Sequence, residues 1–528
     1  MAKIFGIDLG TTYSCIAYVN DYGMPEVISN KESSPVTPSV VAFEEGGAVS
    51  VGNAAKETLN SDPQNVCTTI KRQMGKRDFM FNAFGTDYTP ETISALILKK
   101  LAKDAGEVLK EEVKDVVITC PAYFGLDERD ATKKAGQIAG FNVLAVLNEP
   151  TAAAISYGMQ VDNPQTVMVY DLGGGTFDVT IIKVENGKIR VVATGGDHEL
   201  GGKDWDEVIR QYVIEKYCEA TGDSEDSIYD DMEAMGDLEL KAETAKKLLT
   251  QKDKAVVKLN GEKIEISREQ FDEKTGALLE STIKKTHETM EDAAKKGVAS
   301  YDKILLVGGS TRMPQVDARL RQEFPNIPIE FCDPDQSVAK GAAIYGINKA
   351  VFIFEEGEDK KAIQSNPIFQ FGSGKGKALE IVNVISQSIA VRLRCEDKQM
   401  HIVNQIYKNT EIPCQQVLYA GTDEANQITV HIEIFENSSA ERYVEEEQCK
   451  PLVDGELGPL PANLPANAPI NVVFNIDESG LLSIDAEYKP DGAAEASVKK
   501  HLEVNLQNAL TQKEFEEEMK KVSGLRVQ

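Results

Sequence analysis

Two stretches of this chain repeat one another. IFGIDLGTTYSCIAYV (residues 4–19) and VMVYDLGGGTFDVTIIKV (167–184) each read as a strand, an Asp-Leu-Gly, a turn of glycine and threonine, and a second strand. A duplicated strand–turn–strand constrains the fold more than any bulk property, because it implies two similar lobes facing a cleft. The Ala-rich stretches TAAAISYG after Pro150 and QSVAKGAAIYG after Asp335 echo each other as well, and their small residues let two helices approach closely. Between these landmarks, residues 3–350 alternate short β-branched runs with longer amphipathic stretches, the pattern of an α/β domain. Strands are expected at 4–8, 116–120, 167–171 and 303–307, and a helix over ERDATKKAGQIAG ended by Gly140.

Past residue 350 the texture changes. Residues 351–380 hold VFIF, the charged run EEGEDKK and FGSGKGK, a connector. From 381 to 509 the pattern turns to period two: ITVHIEI puts Ile428, Val430, Ile432 and Ile434 on one face. INVVFNI and LLSIDAEY flank Asp477-Glu-Ser-Gly480, a hairpin turn, so this part reads as an antiparallel β-sandwich. Residues 510–528 read as a short, capped, charged helix.

Bulk properties exclude some functions. A formal charge of −28 argues against a nucleic-acid partner. No apolar run approaches the ~18 residues of a membrane span, and MAKIFGIDLG lacks the apolar core of a signal peptide. The cysteines are scattered without a CxxC spacing, so zinc and redox readings lack their signature and a reducing cytoplasm is expected.

The paired turns suit a phosphate clamp. Gly10, Thr11 and Thr12 form one arm and Gly173, Gly174, Gly175 and Thr176 the other, with backbone N–H groups free to converge on a phosphate. Asp8 and Asp171 end their strands where they could hold the waters of a magnesium ion. A third turn, LLVGGSTRMP, offers Gly308 and Gly309 after a buried strand, with Ser310 as a helix cap and Arg312 beside the ligand. Glu243, Lys246 and Thr250 share one helical face.

GIDLGTTYS, TIKRQMG, VITCPAYF, NEPTAAA, DLGGGTFDV, GG-x-D (201–204), VGGSTRMP and DPDQSVAKGAA stand in the order of the motifs of the seventy-kilodalton heat-shock protein family, which this chain resembles over residues 3–349. The resemblance implies an actin-like ATPase domain of duplicated RNase H-like units (1–350) closing on ATP or ADP with magnesium, and with potassium as a further ion. It makes Lys71 the catalytic lysine and Glu149 and Asp178 the acids that place water and metal. Thr11 and Thr176 then contact the γ-phosphate. Gly201, Gly202 and Asp335 join the nucleotide set; Glu243, Lys246 and Thr250 hold adenosine, with Arg312 stacked on the base. Pro121, Arg129 and Glu149 match the relay between the nucleotide and the peptide-binding domain.

The second half is similar to the family's peptide-binding β-domain, through NTEIP, ITVHIEIFE and FNIDESGLLSIDA. Its pocket is expected near Val391, Leu393, Leu418, Gly421 and Ile428, the same residues that a plain sandwich core would use. Three departures concern coupling: Asn383 stands for the linker aspartate, Ala145 for the arginine that docks J-domain co-chaperones, and residues 510–528 leave only a residual lid. The stretch between Arg77 and Tyr88 is also shortened. The expected protein is a short bacterial-type chaperone whose ATPase controls its grip on unfolded or extended polypeptide; the family's J-domain and nucleotide-exchange partners are put in doubt by these departures. The alternatives are a nucleotide-gated binding module with few clients and incidental hydrolysis, and a sugar kinase, which lacks an evident sugar-binding insertion.

Overall fold

A computed structural model describes residues 3–158, 163–185, 188–355, 380–490, 496–502, 504 and 510–528. The chain divides into two compact units, one of Met1–Tyr123, Ala131–Ile381 and Leu510–Gln528, the other of Phe124–Asp130 and Val382–Ala509.

The first unit begins β1 (Ile4–Asp8), β2 (Tyr13–Val19), β3 (Pro25–Val27), β4 (Val41–Phe43) and β5 (Ala48–Val51). It continues through α1 (Pro90–Leu109), β6 (Asp115–Cys120), α2 (Leu126–Ile138, of which Leu126–Asp130 count with the second unit), β7 (Asn142–Asn148) and α3 (Glu149–Gly158). Then come β8 (Gln165–Leu172), β9 (Phe177–Glu185), β10 (Lys188–Asp197), α4 (Gly202–Thr221), α5 (Met232–Leu249), α6 (Arg268–Lys295), β11 (Lys303–Val307), β12 (Ile329–Phe331) and α7 (Ser337–Glu355). One sheet runs β7-β6-β1-β2-β3 and a second runs β12-β11-β8-β9-β10. Their pairings correspond: β1 lies parallel to β6 and antiparallel to β2, as β8 lies parallel to β11 and antiparallel to β9. The internal echo of the sequence is therefore a repeat of topology. The register repeats too, Asp8 facing Cys15 as Asp171 faces Asp178.

Each repeat closes with a small-residue helix, α3 after β7 and α7 after β12. Gly341 of α7 packs so tightly on Ala152 of α3 that an added Cβ would strike its backbone carbonyl, and Gly6 of β1 presses on Ala339 and Ala343 in the same way. Glycine and alanine are thus dictated by contact distance. Around the second sheet, Trp205, Phe177, Tyr170 and Leu238 form a fully buried core.

The second unit is a β-sandwich. Its strands are β13 (Ser388–Arg394), β14 (Met400–Ile406), β15 (Cys414–Gly421), β16 (Val430–Asn437), β17 (Lys450–Leu457), β18 (Pro469–Ile476), β19 (Leu482–Tyr488) and β20 (Val498–Leu502). Tyr443–Val444, β14, β13, β16 and β17 make a five-stranded sheet, and β15, β18, β19 and β20 a four-stranded one. Ile389 and Ile434 from one sheet meet Phe474 and Ile484 from the other in a common core. The hairpin expected at Asp477–Gly480 is present: Asp477 Oδ1 accepts from the N–H groups of Ser479 and Leu481, and Gly480 takes φ 80°. Two of the four apolar residues read onto one face, Ile432 and Ile434, are buried. Val430 is half-buried and Ile428 stands exposed, because β16 begins only at Val430.

Two further expectations shift. The helix after Asp335 runs on to Glu355, beyond the boundary read at residue 350, and most of the connector (356–379) falls outside the described residues. Residues 510–528 do form a capped helix, α8 (Gln512–Gly524), but they belong to the first unit and not to the sandwich. Among the described residues no helix is long and apolar enough to cross a membrane.

Candidate functional site

The repeat brings its two turns face to face. Gly174 sits against the side chain of Thr12, and Gly175 against that of Thr11, so closely that a Cβ on either glycine would overlap them. No other residue fits either position. The turns also fasten themselves: Ser39 Oγ donates to the Gly10 carbonyl at 2.7 Å, and Ser310 Oγ to the Gly173 carbonyl at 2.8 Å. Gly308, at φ 80°, brings the third turn against Leu172 and Asp171.

These turns line a cavity of about 460 Å³ with Asp8, Lys71, Glu149, Asp171, Thr176, Glu243, Lys246, Thr250, Gly309, Arg312 and Asp335. Lys71 arrives on a short helical turn, Ile70–Gln73, that starts from Thr69 in the left-handed region at φ 54°. A threonine seldom adopts that conformation, and such strain collects where a side chain must be aimed. The Lys71 ammonium is buried and paired with the Glu149 carboxylate. Burial opposes its charge, but Glu149 and Asp8 outweigh burial and hold it above the ordinary lysine range.

The acids behave oppositely. Burial, then the charge of Glu149, raises Asp8 to about 7 and lifts Asp171 and Asp178 well above the usual carboxylate range. Asp178 accepts from the Ala122 N–H at 2.9 Å, and the backbone of Ala122 and Tyr123 partly offsets the effect of burial on it. A crowd of buried carboxylates beside one lysine fits a divalent cation. Among the described residues no cluster of three or more ligating side chains closes on a metal directly.

Some expected residues sit behind the cavity. Gly201 packs on the Gly175 backbone and Gly202 on Ser310, so both glycines are there for close packing and neither lines the cavity. Gly175 and Asp178 likewise lie outside the lining, one behind Thr11 and one under the Pro121 turn. Arg312 lines the mouth, half exposed and paired with Asp335 at 2.6 Å.

Other residues escaped the sequence reading. Tyr13 Oη donates to Glu243 at 2.8 Å and receives Lys56 at 3.1 Å and Lys247 at 2.8 Å. Lys56 pairs with Glu243 at 2.5 Å, and the two lysines hold that carboxyl well below its ordinary range against the opposing effect of burial. Asp206 pairs with Lys246 at 2.8 Å; burial lowers the lysine and raises the aspartate. Tyr13 follows the threonine turn directly and could have been suspected. Lys56 and Asp206 carry no local signal, because their partners lie far along the chain.

In the second unit Val391 is buried, with Leu393 and Leu418 packed against the same core. Gly421 ends β15, an edge strand, and Ile428 is 66% exposed in the turn before β16. Near Leu126, whose N–H donates to Glu436 Oε1 at 3.2 Å, burial and Glu128 raise Glu436 to about 7. Lys450 pairs with Asp127 there at 2.7 Å. In the relay set, Glu149 is bound to Lys71, and Arg129 Nε donates to the Phe124 carbonyl at 2.9 Å.

A cavity floored by two glycine–threonine turns, with a buried lysine and a surplus of carboxylates, defines a nucleotide-hydrolysing α/β protein. The Hsp70 protein family matches residues 4–525. Chaperone protein DnaK of Halobacterium salinarum is 37% identical over 504 residues, covering 94% of this chain and 74% of its own length. Chaperone protein DnaK of Thermotoga neapolitana is 36% identical over 507 residues, with 94% and 80% covered. The chain belongs to the Hsp70 family, and it is an ATP-dependent molecular chaperone that hydrolyses ATP.

Proposed function

We propose that ATP lies in the cavity with its phosphates between the two turns and its adenosine toward α5. The reading rests on one observation above all: Gly174 and Gly175 meet Thr12 and Thr11 with no room for a side chain. The Gly10 N–H is held by Ser14 Oγ and the Gly173 N–H by the Thr176 carbonyl, so the N–H groups of Thr11, Thr12, Gly174, Gly175 and Thr176 converge on the phosphates, with Thr11 and Thr176 nearest the γ-phosphoryl group. Asp8 and Asp171 hold magnesium through water, with Asp178 behind them; when bound, the ion neutralises phosphate charge. Lys71 supplies a positive charge that offsets the negative charge on the transferring phosphoryl group, and Glu149 fixes the ammonium and orients the attacking water. Catalysis is mainly positioning and charge stabilisation. Glu243, Lys246, Thr250 and Arg312 hold the adenosine, and potassium is a second ion of the same pocket.

The sandwich, residues 381–509, takes extended polypeptide along β15, where an edge strand offers main-chain hydrogen bonds. Leu393, Leu418 and Ile428 give the apolar contact over Val391, with Gly421 leaving room for the peptide backbone. Clients are unfolded segments, and Pro121, Arg129 and Glu149 relay the nucleotide state. A J-domain protein and an exchange factor act on it weakly, given Ala145 and Asn383. ATP turnover measured with and without an unfolded polypeptide tests this: stimulation is expected. Equal rates, or phosphate transfer to a small sugar, would refute the chaperone cycle in this form.

A further inference from the structure

Residues 511–528 fold onto the first unit as a helix and a strand. Thr511 caps α8, accepting from the Glu514 N–H at 3.3 Å while Glu514 Oε2 accepts from the Thr511 N–H at 2.8 Å. One face of the helix lies on α1. Val522 is buried there, and the buried Glu518 carboxylate accepts from the Thr92 hydroxyl. Lysines of α1 reach the segment's carbonyls, Lys99 at Val522 (3.1 Å) and Lys103 at Val527 (2.9 Å), and Arg77 pairs with Glu514 at 2.8 Å. A last strand, β21 (Arg526–Val527), adds parallel to β5, and the Gln528 N–H donates to the Val49 carbonyl at 2.9 Å.

A sheet edge is an open row of donors and acceptors, and a chain that adds a strand there satisfies them. Only Glu518 and Val522 of the helix are buried, so the contact is polar and shallow, closer to a bound peptide than to a folded core. The seat matters because α1 also touches the catalytic turn. Ser94 Oγ lies 3.4 Å from Met74 Sδ, just past the Ile70–Gln73 turn that carries Lys71. Thr92, which holds Glu518, also bonds Thr89, the cap of α1. Arg77 sits on the loop that leaves the Lys71 turn.

We propose that the β5 edge and the outer face of α1 form a docking surface for a helix–strand peptide, that residues 511–528 are its ligand in cis, and that the docked segment positions the turn bearing Lys71. The positioning clause rests on the proposed role of Lys71; the docking clause does not. A protease site placed between Leu502 and Leu510 of the full chain, cut after folding, tests both. The cut peptide is expected to co-elute with the protein on gel filtration, with single-turnover hydrolysis unchanged. In a chain carrying Val522→Asp the same cut should release it. Then kcat falls roughly 10-fold with KM for ATP unchanged, as expected for a small displacement of a catalytic group, and added peptide 511–528 of native sequence restores it. Release of the unaltered peptide would overturn the docking surface. Release from the Val522→Asp chain with kcat unchanged would overturn the positioning. A fully active Lys71→Ala protein whose cut peptide still co-elutes would sink the Lys71 role and leave the docking standing.

Discussion

The nucleotide cleft and the open end of the sandwich are both made where strands give way to turns, but they commit their residues differently. In the cleft, the two turns approach until a side chain no longer fits at Gly174 or Gly175, and the lysines have named counterparts: Lys71 with Glu149, Lys246 with Asp206, Lys56 with Glu243. At the sandwich end, Val391, Leu393 and Leu418 are what any sheet core would use, and Ile428 meets solvent. On the proposed reading, a cleft that holds one ligand by fixed dipoles leaves a sequence signature, whereas a sandwich end that holds many peptides by main chain and apolar contact leaves almost none.

That comparison can be broken by substitution. The largest effect is expected at Gly174→Val, which pushes a branched side chain into Thr12 and opens the clamp. Losing two or more charge-assisted hydrogen bonds, at about 1.5–3 kcal/mol each, should weaken MgATP binding by ~10²-fold or more. Calorimetric affinity within threefold of wild type would show that the facing turns do not hold phosphate.

Next is a pH effect confined to the cleft. Asp8 titrates in the folded chain at about 7 and in the unfolded chain near 3.8. The folded state therefore holds the extra proton between those values, so Asp8 contributes stability to the nucleotide-free protein at acid pH that is lost as pH rises toward 7. Asp8→Asn keeps the shape without the charge. Without nucleotide or magnesium, its melting temperature should exceed that of wild type by more at pH 8 than at pH 5. A gap that does not grow with pH would show that Asp8 is not the strained acid.

At the sandwich, effects should be smaller. Ile428→Asp should weaken an apolar peptide by about 10-fold, the scale of one lost apolar contact, and leave ATP turnover unchanged. Unaltered peptide affinity in fluorescence titration would move the peptide site elsewhere. Smallest of all is the coupling between nucleotide and peptide. With Asn383 and Ala145 at coupling positions, ATP should speed peptide release by ~10-fold or less, about 1.4 kcal/mol. Stopped-flow acceleration of a hundredfold would contradict that.

The repeat, the order of the turns and the sandwich hairpin were legible because each depends on local residue types: Asp before Leu-Gly, glycine where φ is positive, alternation along β18 and β19. Lys56, Tyr13 and Asp206 were not, since their roles arise from long-range pairing. The motif marks Gly201 and Gly202 but not the tight packing of Gly201 on Gly175 and of Gly202 on Ser310, which is a further reason for their smallness. The seat of α8 was invisible for a related reason. Its cap is written in Thr511 and Glu514, but a helix that buries only Glu518 and Val522 carries too little apolar pattern to name its partner.

In the proposed mechanism two duplicated turns hold the phosphates while the buried Lys71 stabilises the charge of transfer. Single-turnover hydrolysis by Lys71→Ala, with MgATP affinity measured on the same sample, tests it most directly. The account expects affinity to stay within a few-fold and the rate to fall by ~10²-fold or more, as when a preorganised charge is removed from phosphoryl transfer. A rate within threefold of wild type at unchanged affinity would contradict it.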